Sequence, residues 1–142
     1  MVETPAAVLL AEALARETDF FSIGTNDLTQ YIMAADRLNG HLGSLYDTLQ
    51  PAVLRAIAQI VRGARASRRL VAVCGEAAGD PTIAPLLVGL GVEELSMTPA
   101  SIPRIKETLS RFSSSQLSHL AERALSLATL EEVQALLAEM LR

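Results

Sequence analysis

Short apolar runs of β type alternate along this chain with longer stretches of helical periodicity. That alternation is the pattern of βαβ units on a parallel sheet, and it restricts the fold more than any other feature. Phe20-Phe21-Ser22-Ile23 is a compact apolar run closed by Gly24, and Leu70-Val71-Ala72-Val73 is a second, closed by Cys74-Gly75. Glu93-Glu94-Leu95-Ser96-Met97 is a third and weaker run ending at Thr98-Pro99, and Met1-Val2 is the stub of a fourth ending at Glu3-Thr4-Pro5. Between them, Pro5 suits a first helical turn and opens a stripe through Leu9, Leu10 and Leu14 that stops at Thr18-Asp19. The spacing predicts further helices over 28–35, 53–66, 82–90 (ended by Gly91) and 103–112. Ser113-Ser114-Ser115 breaks the pattern and supplies an N-cap for a helix through Leu127. Thr129 with Glu132 forms a capping-box pattern for a last one, whose apolar face is Leu130, Val133, Leu136, Leu137, Met140 and Leu141.

The spacing of the strand ends says how many units there are. Glu3, Asn26, Cys74 and Ser96 are separated by 23, 48 and 22 residues. A closed (β/α)8 barrel takes about 250 residues, or about 31 per unit. At that rate 142 residues hold between four and five units, so barrel strands here would make half a barrel. Such a half would leave its inner face and outer strands open, and the expectation is that it self-associates or rearranges when alone.

Composition narrows the class. Half of the chain is apolar and 20% is charged, which fits one globular domain and argues against disorder. Only 4% is aromatic and Trp is absent, so the core is aliphatic. Twelve Lys and Arg against sixteen Asp and Glu give a net charge of −4, with no basic stripe for nucleic acid and no polybasic membrane patch. No apolar run approaches the ~20 residues of a transmembrane helix, so no membrane insertion is expected, and the chain reads as soluble and intracellular. The single cysteine, Cys74, excludes an internal disulfide, and nothing resembles a zinc site.

In parallel α/β folds the chemistry sits at the carboxyl ends of the strands. Glu3, the Gly24-Thr25-Asn26-Asp27 string, Cys74, Glu76, Ser96 and Thr98 all fall at such ends. Glu3 and Asp27 are two carboxylates on neighbouring strand tops, either a pair for a hard divalent cation or two charges near helix N-termini. The glycine-led string either aims backbone N–H groups at an anion or simply turns a strand into a helix. Arg37 is either a bidentate phosphate ligand or a solvated loop arginine beside Asp36. Cys74 is either an acid or nucleophile at a polar strand end or a small buried side chain. His41 and His119 sit at no strand end, so any histidine chemistry in this cleft comes from elsewhere.

The string DFFSIGTNDLTQY, Asp19 to Tyr31, resembles Enzyme I of the bacterial phosphoenolpyruvate (PEP)-dependent sugar phosphotransferase system. The likeness continues with MVETPAA (1–7), AADR (34–37), VCGEAAGD (73–80), ELSM (94–97) and SIPRIK (101–106), in family order along nearly the whole chain. Pyruvate phosphate dikinase and PEP synthase share the barrel and much of GTNDLTQ, while the longer CGEAAGD and SIPRIK context favours Enzyme I. The resemblance implies the C-terminal half of a PEP-binding TIM (β/α)8 barrel over 1–142, with extra helices over 113–142. It implies that Glu3 and Asp27 ligate Mg²⁺, that Asn26 and the adjoining backbone hold PEP, and that Arg37 grips the phosphoryl group. Cys74 matches the thiol that protonates C3 of the pyruvate enolate. The phospho-accepting histidine and the domain that meets the phosphocarrier protein belong, in that family, to N-terminal domains outside these residues. A cytoplasmic homodimer is the implied setting. A half barrel that serves only dimerisation is the non-enzymatic alternative.

Overall fold

The computed structural model describes residues 1–140, and Leu141 of the expected final apolar face lies outside the described residues. Among them, β1 (Phe20–Gly24), β2 (Leu70–Cys74) and β3 (Glu94–Leu95) form a parallel sheet in the order β1-β2-β3. Phe20 pairs with Leu70 and so on through Gly24 with Cys74, while Ala72 and Val73 pair with Glu94 and Leu95. The fourth run is reduced to a bridge from Val2 to Ile23 on the far edge of β1. The third run is only two residues of strand, extended by hydrogen bonds from Glu93 N to Val71 O and Ser96 N to Val73 O, both 2.9 Å. Its two consecutive glutamates offer too little apolar surface for a longer buried strand.

The helices are α1 (Pro5–Leu9), α2 (Ala11–Glu17), α3 (Thr25–Met33), α4 (Pro51–Ala66), α5 (Ala84–Leu90), α6 (Ile102–Ser110), α7 (Ser114–Ser126) and α8 (Leu130–Met140). The stripe starting at Pro5 is therefore two helices with a break at Leu10. The break turns Val8 of one and Ala11 and Ala15 of the other into the same core. Helix α3 starts three residues before the apolar pattern does, because Thr25 is buried and its hydroxyl donates to Cys74 O at 3.2 Å. It stops at Ala34, left-handed with φ 49°. Gly91, at φ 98°, ends α5 as expected. Ser113 of the serine run supplies the expected N-cap and makes a capping box with Gln116, and the expected Thr129–Glu132 box forms as well. In the second, backbone N–H groups of Ala128 and Thr129 hold the Glu132 carboxyl below its ordinary range.

Strand alternation decides where the layers go. Phe21, Ile23, Val71 and Val73 point to one face and are buried with Leu54, Ile57 and Ile60 of α4 and Leu86 and Leu87 of α5. Burying each such side chain contributes about 1.5–3 kcal/mol, so this one-sided layer is the main source of stability. The other face carries Phe20 and Leu70, 58% and 39% exposed. Among the described residues the sheet is thus covered on one side, with its polar end residues left accessible.

Two glycines set how closely the helices approach. A Cβ on Gly63 of α4 would lie 2.8 Å from Glu12 N on α2, and one on Gly89 of α5 would meet the Leu117 carbonyl of α7. Alanine favours a helix over glycine by about 1 kcal/mol, but here the collision is with backbone and cannot be relieved by a rotamer change. Gly89→Ala is therefore expected to destabilise the fold by about 1–3 kcal/mol net, read as a lower urea midpoint with an unchanged slope. A raised midpoint would contradict the close α5–α7 contact.

Candidate functional site

The site is built where β1 and β2 end side by side. Gly24 closes β1 and Thr25 begins α3 at once, so Asn26 and Asp27 lie in the first helical turn. A side chain on Gly24 would run into the Glu3 carboxylate, with Glu3 Cγ 2.7 Å from where its Cβ would be. Glycine here lets Glu3 lie across the end of β1. Beyond β2, Gly75 takes φ 110°, and a Cβ there would sit 2.7 Å from Thr25 Oγ1 and 3.1 Å from Asn26 Oδ1. That conformation and that lack of space both require glycine. They bring Glu76 N to donate to Asn26 Oδ1 at 3.4 Å.

Asn26, Gly75, Glu76, Ser96 and Thr98 line an open cleft of 420 Å³. A smaller recess of 190 Å³ adjoins it, sharing Asn26 and Glu76 and adding Tyr46 and Asp80. Cys74 is half-buried at the end of β2, its sulfur accepting from Ser22 Oγ at 3.3 Å and donating to Ile23 O at 3.5 Å. Arg37 lies in the loop after α3 with Nη1 3.9 Å from Asp27 Oδ1, both side chains substantially exposed. Asp36 instead accepts from Leu38 N at 2.9 Å, so the loop arginine turns toward the first turn of α3 and not toward its sequence neighbour. An exposed pair at this distance stabilises little, which leaves the guanidinium available to an anion.

The structure thus brings Asn26 and Glu76 into one cleft with Ser96 and Thr98, while Glu3, Asp27, Arg37 and Cys74 lie on adjoining segments at the same end of the sheet and line neither the cleft nor the recess. Among the described residues no three His, Cys, Asp or Glu side chains converge into a metal cage. Glu3 and Asp27 are two carboxylates on adjoining segments, a donor set that suits Mg²⁺, which takes one or two protein carboxylates and completes its shell with water and substrate oxygens. His41 is exposed in a 3-10 turn, and His119 on α7 lies 3.4 Å from Glu122. Neither lines the cleft. No helix among the described residues is long and apolar enough to cross a membrane.

Sequence reasoning missed two residues. Ser22 shares its strand face with Gly24, a signal that alternation alone could have given. Tyr46 had no local signal, because it reaches the site only when the loop after α3 folds back. Its hydroxyl donates to Asn26 O at 3.1 Å. Burial pushes its ionisation above the ordinary 10.0; Arg37 opposes this, and Glu76 and Asp27 add to it. With a raised folded-state value, the unfolded chain loses its phenol proton first. The contribution is therefore intact below pH 10 and is lost as pH climbs through the folded-state value. Tyr46→Phe is expected to reduce the fall in stability above pH 10 in chemical denaturation, and an alkaline limb identical to the parent's would contradict this.

Residues 1–114 match the family described as PEP-utilising enzyme, PEP-binding domain. A multiphosphoryl transfer protein of Xanthomonas campestris pv. campestris is 55% identical over 139 residues, covering 98% of this chain and 17% of the relative. The phosphoenolpyruvate-protein phosphotransferases of Lactococcus lactis subsp. lactis and Enterococcus faecalis are each 46% identical over 140 residues, covering 98% of this chain and 24% of theirs. The chain spans less than a quarter of the length of these relatives. That match covers most of the chain, and on it the chain belongs to the PEP-binding domain family of PEP-utilising enzymes.

Proposed function

We propose that residues 1–142 form the C-terminal half of a PEP-binding TIM (β/α)8 barrel, with residues 113–142 as its terminal helices, in a cytoplasmic phosphoenolpyruvate-protein phosphotransferase. The convergence of Asn26, Cys74 and Glu76 at the carboxyl end of a parallel sheet is the observation that carries the reading. The one-sided helical layer supports the half barrel, since a barrel strand is covered by helices outside and by other strands within. The relatives' names, all of them phosphoryl transfer proteins, support the reaction class.

On this reading Asn26 and the N–H groups of the first turn of α3 orient PEP, with the helix N-terminus favouring its negative charge. Arg37 swings from Asp27 to the phosphoryl oxygens, where its planar fork makes two charge-assisted bonds. Glu3 and Asp27 would hold Mg²⁺, which when bound neutralises charge on the phosphoryl and enolate oxygens. Cys74 gives its thiol proton to C3 of the enolate, leaving pyruvate and a thiolate; in reverse the thiolate takes a proton from the pyruvate methyl group. The phosphoryl group passes to a histidine outside this chain and then to the phosphocarrier protein of sugar uptake. The open sheet face, with Phe20 and Leu70 exposed, also favours a second reading in which the same half barrel associates with another copy.

Isothermal titration of PEP in the presence of Mg²⁺ tests the assignment. The chain is expected to bind, with Asn26→Ala and Arg37→Ala each weakening affinity about 10- to 100-fold through a lost charge-assisted bond. Cys74→Ser is expected to leave affinity nearly unchanged, because a proton donor acts on the transition state more than on ground-state binding. Full binding by Asn26→Ala would contradict the site, and no binding by any version would favour the purely structural half barrel.

A further inference from the structure

We infer that Ser22 is a positioning residue for Cys74: its hydroxyl holds the sulfur at the open face of the sheet and stabilises the thiolate left when the proton departs. The inference rests on the proposed role of Cys74 as the acid and concerns a residue that role does not include.

The register produces the contact. Ser22 pairs with Ala72 and Gly24 pairs with Cys74, and paired residues in a sheet project to the same face. Ser22 and Cys74 therefore occupy opposite corners of a square whose other corners are alanine and glycine. Neither of those is large enough to stand between them, and the diagonal closes at 3.3 Å from Oγ to Sγ. The thiol's own proton has two acceptors within reach, Ile23 O at 3.5 Å and Met1 Sδ at 3.8 Å. The sulfur thus accepts from a hydroxyl, while its own hydrogen, a weak donor, is shared between a carbonyl and a thioether. A proton held this weakly is easily redirected to a substrate carbon. Once it has gone, the bond from Ser22 becomes charge-assisted and strengthens, whereas the Ile23 carbonyl contributes nothing to a thiolate.

The charged side chains on the adjoining segments are Glu3 at the edge of β1, Asp27 on α3 with Arg37 3.9 Å from it, and Glu76 beyond β2. Ser22 differs from all of them in being a neutral donor bonded to the sulfur itself.

The test is the pH dependence of Cys74 alkylation by iodoacetamide in the whole chain, where every modification event reports on the one thiol. No PEP is required, so the outcome is independent of whether the chain binds substrate. Ser22→Ala is expected to move the midpoint of the rate profile to higher pH. Below the midpoint, alkylation would then slow about 2- to 10-fold, the effect of one lost hydrogen bond. Ser22→Thr, which keeps the hydroxyl, is expected to restore the parent profile, and circular dichroism confirms that each variant is folded. A Ser22→Ala profile that superimposes on the parent's would overturn the inference. So would a shift shared equally by Ser22→Thr, since the hydroxyl would then not be its cause.

Discussion

The parallel pairing of β1 with β2 is the constraint on which the rest of this molecule depends. One register, Phe20 with Leu70 through Gly24 with Cys74, settles two matters at once. It turns Phe21, Ile23, Val71 and Val73 toward α4 and α5, where aliphatic burial stabilises the layer. It also stops both strands at the same level, so that the chain leaving β1 and the chain leaving β2 meet. A slip of β2 by one residue would exchange its faces, exposing Val71 and Val73 and pointing Cys74 into the core.

Close approach at the strand ends then depends on absent side chains. Gly24 leaves the space that Glu3 crosses, and Gly75 lets the exit from β2 run against Thr25 and Asn26. The bond from Thr25 to Cys74 O and the one from Glu76 N to Asn26 Oδ1 lace the two exits together. Asn26 is thereby held from three sides, by its own helical turn, by Glu76 and by the Tyr46 hydroxyl on its carbonyl. A group fixed in this way before ligand arrives loses little further freedom on binding.

Much of this was legible in the sequence, for physical reasons that differ by element. The first two strands and the capped helices α7 and α8 are specified locally, by apolar runs, Ser113 and the Thr129–Glu132 pair. What was misjudged depended on tertiary context. The apolar stripe after Pro5 gives no hint of the break at Leu10, which serves packing against α4. The start of α3 at Thr25 follows from a bond to β2 that no helical propensity contains. Arg37 faces Asp27 and not Asp36 because the end of α3 at Ala34 reverses the chain. The polar strand-end residues were identifiable from position and Ser22 from strand alternation, while Tyr46 was not, because it acts through a partner far away in the chain.

The central claim is that one small anionic metabolite binds where these two strands end. Amide chemical-shift mapping of the chain, titrated with PEP and Mg²⁺, tests it most directly. The account predicts that the largest changes fall on residues 24–27, Arg37 and residues 74–76, with the amides of α7 and α8 nearly still. Changes concentrated on the helical layer, with the amides of Asn26 and Glu76 unmoved, would contradict it.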